Sequence, residues 1–149
     1  MNTSPVVDIL LVEDDPYDLE MTLRGLSKAH IVDNIHVARD GAEALDFIFC
    51  EGVHSGRRIE DHPKLILLDL KLPKVNGLEV LTRVKADPRT RAIPVVMLTS
   101  SHQASDLRHS YRIGVNSYIV KPVEFESFVR AVGQLGLYWL LHNEVAQPG

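Results

Sequence analysis

The sequence contains little cysteine, no long apolar run and no dense cluster of basic residues, and each absence excludes a class of protein. Cys50 is the single cysteine among 149 residues, so an intrachain disulfide is excluded. No apolar run approaches the roughly 18 residues that a membrane-spanning helix needs. Residues 1–8 lack the basic start and the apolar stretch of a signal peptide. The sequence therefore predicts a cytoplasmic protein without a membrane segment.

The charge balance argues against nucleic acid as a partner. Sixteen Lys and Arg residues and twenty Asp and Glu residues give a formal net charge of −4. They form no basic patch that would bind a phosphate backbone or an anionic membrane. A hydrophobic content of 45% in a chain of this length is enough for the core of one ordinary domain.

Short apolar runs alternate with segments of helical periodicity along the chain. The runs are rich in Val, Ile and Leu, which is typical of strands buried on both faces of a parallel sheet. The predicted strands are residues 6–12, 35–38, 65–68, 95–99 and 117–120; the predicted helices are 16–29, 42–49, one ending near 87, 104–113 and 124–139. This order predicts a doubly wound α/β fold of five parallel strands flanked by five helices. The polar segment 51–64, interrupted by glycine and proline, predicts a long loop.

The predicted strands end on polar residues of different kinds. Glu13 and Asp14 follow the first strand, Asp69 the third, Thr99 the fourth and Lys121 the fifth. The carboxyl ends of parallel strands meet at one edge of the sheet, where open α/β folds bind their ligands. We therefore expect three acids, a hydroxyl and an amine to meet there.

Three adjacent carboxylates predict a divalent cation, because they repel one another unless a positive charge neutralises them. Oxygen ligands suit Mg²⁺, whereas Zn²⁺ prefers His or Cys. With a metal bound, Asp69 is suited to attack phosphorus as a nucleophile and form an aspartyl phosphate. Lys121 and Thr99 are the donors that would stabilise the added negative charge.

Over roughly residues 6–139, the sequence resembles the receiver domain of bacterial two-component response regulators. The matching motifs occur in the order of that family: LLVEDD (10–15), LLDLKLP (67–73) with Asn76-Gly77, MLTS (97–100) and YIVKP (118–122). The resemblance implies a flavodoxin-like receiver fold with strand order 2-1-3-4-5. It divides the chain into a flexible N-terminus (1–5), a single receiver domain (6–141) and a C-terminal tail (142–149).

The resemblance also implies roles for individual residues. Asp69 would be the phosphoacceptor, with Asp14 a direct ligand of Mg²⁺ and Glu13 a ligand through water. Lys71 would offer the metal its backbone carbonyl.

Three further residues would respond to the phosphoryl group. Lys121 would contact it directly, and its bond to Pro122 would be cis. Thr99 and Tyr118 would form the pair that rearranges on phosphorylation. Such a protein is not a conventional enzyme, since it acts on its own aspartate.

Within this family, the long loop and the aromatic segment 137–139 are similar to small stand-alone regulators of phytochrome histidine kinases. This closer resemblance implies a light-sensing kinase as the phosphoryl donor.

Apolar residues spread around the end of the last predicted helix instead of keeping to one face. They are Leu135, Leu137, Tyr138, Trp139, Leu140 and Leu141. This spread predicts a twofold homodimer through the C-terminal helix region. The alternative is a tail that folds back on its own domain.

Two other functions compete with the response regulator. One is a dehalogenase-like phosphatase that works through an aspartyl phosphate, although Lys71 stands where those enzymes usually carry a second Asp. The other is a receiver-shaped interaction module that acts without phosphorylation. Such modules usually lack the acceptor or the lysine, and this chain has both Asp69 and Lys121.

Overall fold

Five strands and five helices alternate in the computed structural model, which describes residues 7–29, 34–100 and 104–135, the last range without the side chains of 104–107. The elements are β1 (Ile9–Val12), α1 (Pro16–Lys28), β2 (Ile35–Ala38), α2 (Gly41–Ile48), β3 (Leu65–Asp69), α3 (Gly77–Ala86), β4 (Val95–Thr99), α4 (Ala104–Ile113), β5 (Ser117–Val120) and α5 (Phe125–Gln134). This alternation is the one that the sequence predicts.

All five strands are parallel and lie in the order β2-β1-β3-β4-β5, which confirms the predicted topology. Every residue of β1, β3 and β4 is buried, because helices cover both faces of the central strands. The edge strands β2 and β5 are partly exposed. Among the described helices, none combines the length and the hydropathy that crossing a membrane would require.

Successive residues of the central strands contribute to two separate cores. In β1, Ile9 and Leu11 pack with side chains of α1 and α5, whereas Leu10 and Val12 pack with side chains of α2 and α3. The same alternation continues in β3 and β4. It follows from the pleat of a strand, which directs neighbouring side chains to opposite faces.

The segment between α2 and β3 is fastened to α2 by aromatic contacts. It contains a single 3-10 turn, Gly52–His54. The guanidinium carbon of Arg57 lies 3.7 Å from the centroid of the Phe47 ring. His36 stacks on Phe47 with 4.2 Å between ring centroids, and His54 meets both rings edge-on. These contacts give the predicted loop a defined path.

Two element boundaries differ from the predictions by more than one residue or extend beyond the described residues. β1 begins at Ile9, not at Val6, because the backbone bends at Asp8. The Asp8 carboxylate lies 3.3 Å from the Lys64 ammonium. Val6 lies outside the described residues. So does the predicted end of the last helix, residues 136–139, and with it most of the predicted dimer surface. Leu135 packs against the core beside α5.

Candidate functional site

The carboxyl ends of four strands bring most of the predicted site residues to one cavity of about 240 Å³. Asp69 and Thr99 are the last residues of β3 and β4, and Glu13 directly follows β1. Lys121 follows β5, and its main-chain N–H donates to the Thr99 carbonyl at 2.8 Å. The strand register therefore brings together residues that are up to 108 positions apart in the chain.

Three carboxylates form the acidic part of the cavity. Glu13 and Asp69 are buried and Asp14 is exposed, and one carboxylate oxygen from each lies within 4.8 Å of the other two. Burial, and after it the adjacent Asp69 carboxyl, together raise the pKa of Glu13 to about 8. A proton or a cation is therefore needed to offset the negative charge of these carboxyl groups.

The start of α1 holds Glu13 in place. Asp15 caps the helix by accepting a hydrogen bond from the Tyr17 N–H at 2.9 Å, and Pro16 occupies the first turn. The main-chain N–H of Asp15 donates to Glu13 Oε2 at 3.2 Å. The cap at the start of α1 therefore also orients a site carboxylate.

Lys121 is the cationic part of the cavity and contacts three carboxylates. Its Nζ lies 3.0 Å from Asp18 Oδ2, 3.2 Å from Asp69 Oδ2 and 3.4 Å from Glu13 Oε1. Burial alone would lower the pKa of the ammonium, but these carboxylates outweigh burial and raise the pKa above its ordinary value. Lys121 is thus charged at any physiological pH. The Lys121–Pro122 bond is cis, as the resemblance implies.

Asp18 is the member of this site that the sequence reasoning missed. It belongs to the first turn of α1, whereas the predictions considered acids only at strand ends. The sequence does place Asp18 three residues after the Asp15 cap, in the first turn of the helix that begins at the edge of the sheet. This position could have indicated a role in the site.

Thr99 and Tyr118 occupy different environments. Thr99 is buried and lines the cavity, and its Oγ1 donates to the Ser100 carbonyl at 3.0 Å. Tyr118 is 41% exposed and is not among the residues that line the cavity. Its ring meets that of Tyr111 edge-on, with 6.2 Å between centroids. The cavity brings together all the predicted site residues except Tyr118.

The turn after β3 folds closely over Asp69. The Lys71 N–H donates to Asp69 Oδ1 at 3.3 Å, and Lys71 lines the cavity while its side chain is exposed. The Gly77 N–H donates to the Leu70 carbonyl at 3.0 Å. A Cβ on Gly77 would lie 2.3 Å from the Asp69 carbonyl oxygen, so only glycine lets α3 begin there. Asn76 caps α3 by accepting a hydrogen bond from the Glu79 N–H.

The donor set fits a hard divalent cation. Glu13, Asp14 and Asp69 supply carboxylate oxygens, and this part of the cavity contains neither His nor Cys. Mg²⁺ and Mn²⁺ take oxygen ligands of this kind. A cation at this position would also relieve the repulsion between Glu13 and Asp69.

A sequence profile described as the response regulator receiver domain matches residues 9–133. The chain belongs to this family. The match includes every site residue discussed above, and the strand order and helix number confirm the predicted flavodoxin-like receiver fold.

Curated receiver relatives match nearly the whole chain. The probable methanogenesis regulatory protein FilR2 of Methanothrix harundinacea is 43% identical over 141 residues, which are 94% of this chain and 88% of FilR2. Response regulator Rcp1 of Synechocystis is 36% identical over 138 residues, 93% of this chain and 92% of Rcp1.

Solved receiver structures show the same similarity. The bacteriophytochrome response regulator AtBRR has a TM-score of 0.82 and 51% identity, with 94% of this chain and 99% of AtBRR covered. The Mn²⁺-bound form of Rcp1 has a TM-score of 0.73 and 37% identity, with coverage of 93% and 96%. The predicted resemblance to regulators associated with phytochromes is therefore confirmed.

Proposed function

We propose that this receiver domain is a stand-alone response regulator that accepts a phosphoryl group on Asp69 from a histidine kinase. The observation that carries the proposal is the contact of a buried Asp69 carboxylate with the Lys121 ammonium, 3.2 Å apart, beside two further carboxylates. An aspartate nucleophile, a fixed cation and a cation site are the groups that phosphoryl transfer to a carboxylate needs.

Transfer forms one bond and breaks another. An Asp69 oxygen attacks phosphorus, the P–N bond of the donor phosphohistidine breaks, and its electron pair remains on the imidazole nitrogen. Lys121 and the Thr99 hydroxyl donate to the phosphoryl oxygens. Mg²⁺, held by Glu13, Asp14, Asp69 and the Lys71 carbonyl, would neutralise charge on the phosphoryl group.

The response to phosphorylation is proposed to pass through Thr99 and Tyr118. Among the described residues, the Thr99 hydroxyl donates to the carbonyl of the adjacent Ser100. A turn of this side chain would direct the hydroxyl toward a phosphoryl oxygen. The exposed Tyr118 ring would then move inward from its contact with Tyr111. This would change the surface between α4 and α5, and a partner that distinguishes the two surfaces would read the signal.

We propose a phytochrome-type light sensor as the kinase. Support comes from AtBRR and a second bacteriophytochrome response regulator, RtBRR, which is 54% identical with a TM-score of 0.82. A cytoplasmic location and the absence of a nucleic-acid partner are part of the same proposal. The net charge of −4 supports the absence of a nucleic-acid partner.

A homodimer through the C-terminal helix region remains a proposal. Exposed apolar side chains beside that region support it: Tyr118 is 41% exposed, Val120 43% and Phe125 39%. Sedimentation velocity over a range of concentrations tests it, with a rise in sedimentation coefficient expected. A constant monomer value up to high micromolar concentration would rule the dimer out.

The test of the proposed function is the intact mass after incubation with Mg²⁺ and acetyl phosphate. We expect one phosphoryl increment in the wild type, none in Asp69→Asn and none when the metal is chelated. Folded wild-type protein that gains no mass would contradict phosphorylation and leave the phosphorylation-independent interaction module.

A further inference from the structure

One of the carboxylates that contact Lys121 does not belong to the acidic cluster. An ammonium group has three N–H donors, and Lys121 has three carboxylate partners within 3.4 Å. Two of them, Glu13 and Asp69, belong to the group of carboxylates that could hold a cation. The third, Asp18, is outside that group and yet is the nearest, at 3.0 Å.

Asp18 is fixed by the element that carries it. It lies in the first turn of α1, where the Asp15 cap and Pro16 define the start of the helix. Helix α1 packs against α5 and against β1, so the Asp18 backbone is held relative to the sheet edge. Lys121, in contrast, carries its charge on a flexible four-carbon side chain.

The contact between Asp18 and Lys121 is partly shielded from solvent. The Lys121 side chain is 16% exposed and that of Asp18 is 26% exposed. Charge-assisted hydrogen bonds in such surroundings are stronger than those at an open surface. Asp18 therefore restricts the position of the Lys121 ammonium.

Phosphorylation changes the other contacts of Lys121 but leaves this one available. When Asp69 accepts the phosphoryl group, one of its oxygens becomes bonded to phosphorus, and Lys121 must redirect a donor to a phosphoryl oxygen. Glu13 is buried beside the cation site, so its oxygens are shared with that site. Asp18 lies outside the group of carboxylates that could hold the cation.

We propose that Asp18 is a positioning residue that tethers the Lys121 ammonium over the phosphoryl position during transfer to Asp69. This inference rests on the proposed function. It adds a residue from a helix to a set that otherwise comes from strand ends. Removal of the tether lets the Lys121 side chain sample other rotamers, which slows transfer without removing the nucleophile or the cation ligands.

The experiment measures the rate of phosphorylation by acetyl phosphate with Mg²⁺ in the full chain. We expect Asp18→Ala to be about tenfold slower than wild type, as for one charge-assisted hydrogen bond lost at the transition state. Asp18→Glu restores the carboxylate and is expected to stay within about threefold of wild type. The matched control is Glu20→Ala, which removes the same charge from α1 where it contacts Arg24, not Lys121.

Two further measurements separate positioning from a loss of structure. Thermal unfolding and Mg²⁺ binding by calorimetry should be close to wild type in Asp18→Ala, because Asp18 is not among the three clustered carboxylates. Rescue by Asp18→Glu is a result that a merely structural role would not give.

Three results would overturn the inference: Asp18→Ala reacting at the wild-type rate, Asp18→Ala reacting faster, or Asp18→Glu being as slow as Asp18→Ala. A faster reaction would mean that Asp18 competes with the phosphoryl group for Lys121. If folded wild type gains no phosphoryl group at all, the proposed function itself fails. Failure of the inference alone is recognised because wild type and Glu20→Ala still react.

Discussion

Binding of Mg²⁺ should release a proton from Glu13, because the buried carboxyl retains that proton at neutral pH. The pKa of Glu13 is raised to about 8 by burial and by the neighbouring Asp69 carboxyl. At pH 7, one unit below this value, about nine tenths of the molecules carry the proton. A cation that takes its place among the three carboxylates must displace it.

The size of the effect follows from this competition between the cation and the proton. Since protonation opposes binding, the apparent affinity for Mg²⁺ rises with pH until the carboxyl is ionised. Between pH 7 and pH 9 the apparent affinity should rise by about tenfold. About 0.9 protons should leave per ion at pH 7, and close to none above about pH 9.

Isothermal titration calorimetry measures this release directly. Mg²⁺ is titrated at pH 7 into protein in two buffers with different ionisation enthalpies, and the difference in observed heat gives the protons released. Glu13→Gln is the control, since it has nearly the same shape but no proton to lose, and its affinity should depend little on pH. Wild-type protein that binds Mg²⁺ at pH 7 without releasing a proton would refute the reasoning.

Three further predictions concern stability and are tested by urea unfolding. Burial lowers the pKa of His36, so the folded state resists protonation of this residue. The contribution of neutral His36 to the free energy of unfolding is present above about pH 6.5 and is lost as the pH falls further. His36→Phe should flatten this decline. If the variant declines as steeply as wild type, His36 is not the cause. Gly77→Ala should lower the free energy of unfolding by about 1–3 kcal/mol, because the added Cβ would collide with main-chain atoms. Gly56→Ala, where the Cβ would enter open space, should lower it little. Equal losses in the two variants would contradict the steric argument. Lys85→Met should lower the free energy of unfolding by about 1–3 kcal/mol, because the Lys85 ammonium donates to the carbonyls of Arg91 and Ile93 and to Asn116. An unchanged urea midpoint would show that these hydrogen bonds are dispensable.

Much of the fold could be predicted from the sequence because the central strands are buried on both faces. Runs such as 65–68 are therefore apolar throughout, and the polar residue that ends each run marks the edge of the sheet. Parallel topology then brings Asp69, Thr99 and Lys121 together without any further information.

What could not be predicted depends on how elements pack in three dimensions. The contact of Asp18 with Lys121 requires that the start of α1 lie over the end of β5, and no local pattern encodes that distance. The exposure of Tyr118 likewise follows from the edge position of β5. The path of residues 51–64 depends on contacts with the ring of Phe47. The helical pattern of the sequence identifies Phe47 only as a core residue.

The two-sided packing of the central strands has a consequence for how this chain tolerates changes in length. In β1, Ile9 and Leu11 face one core and Leu10 and Val12 the other. Insertion or deletion of a single residue within such a strand would exchange the two sets of side chains and disturb both cores at once. We therefore expect changes in length to be tolerated in the connections, such as the segment between α2 and β3, where the strands on either side can keep their register.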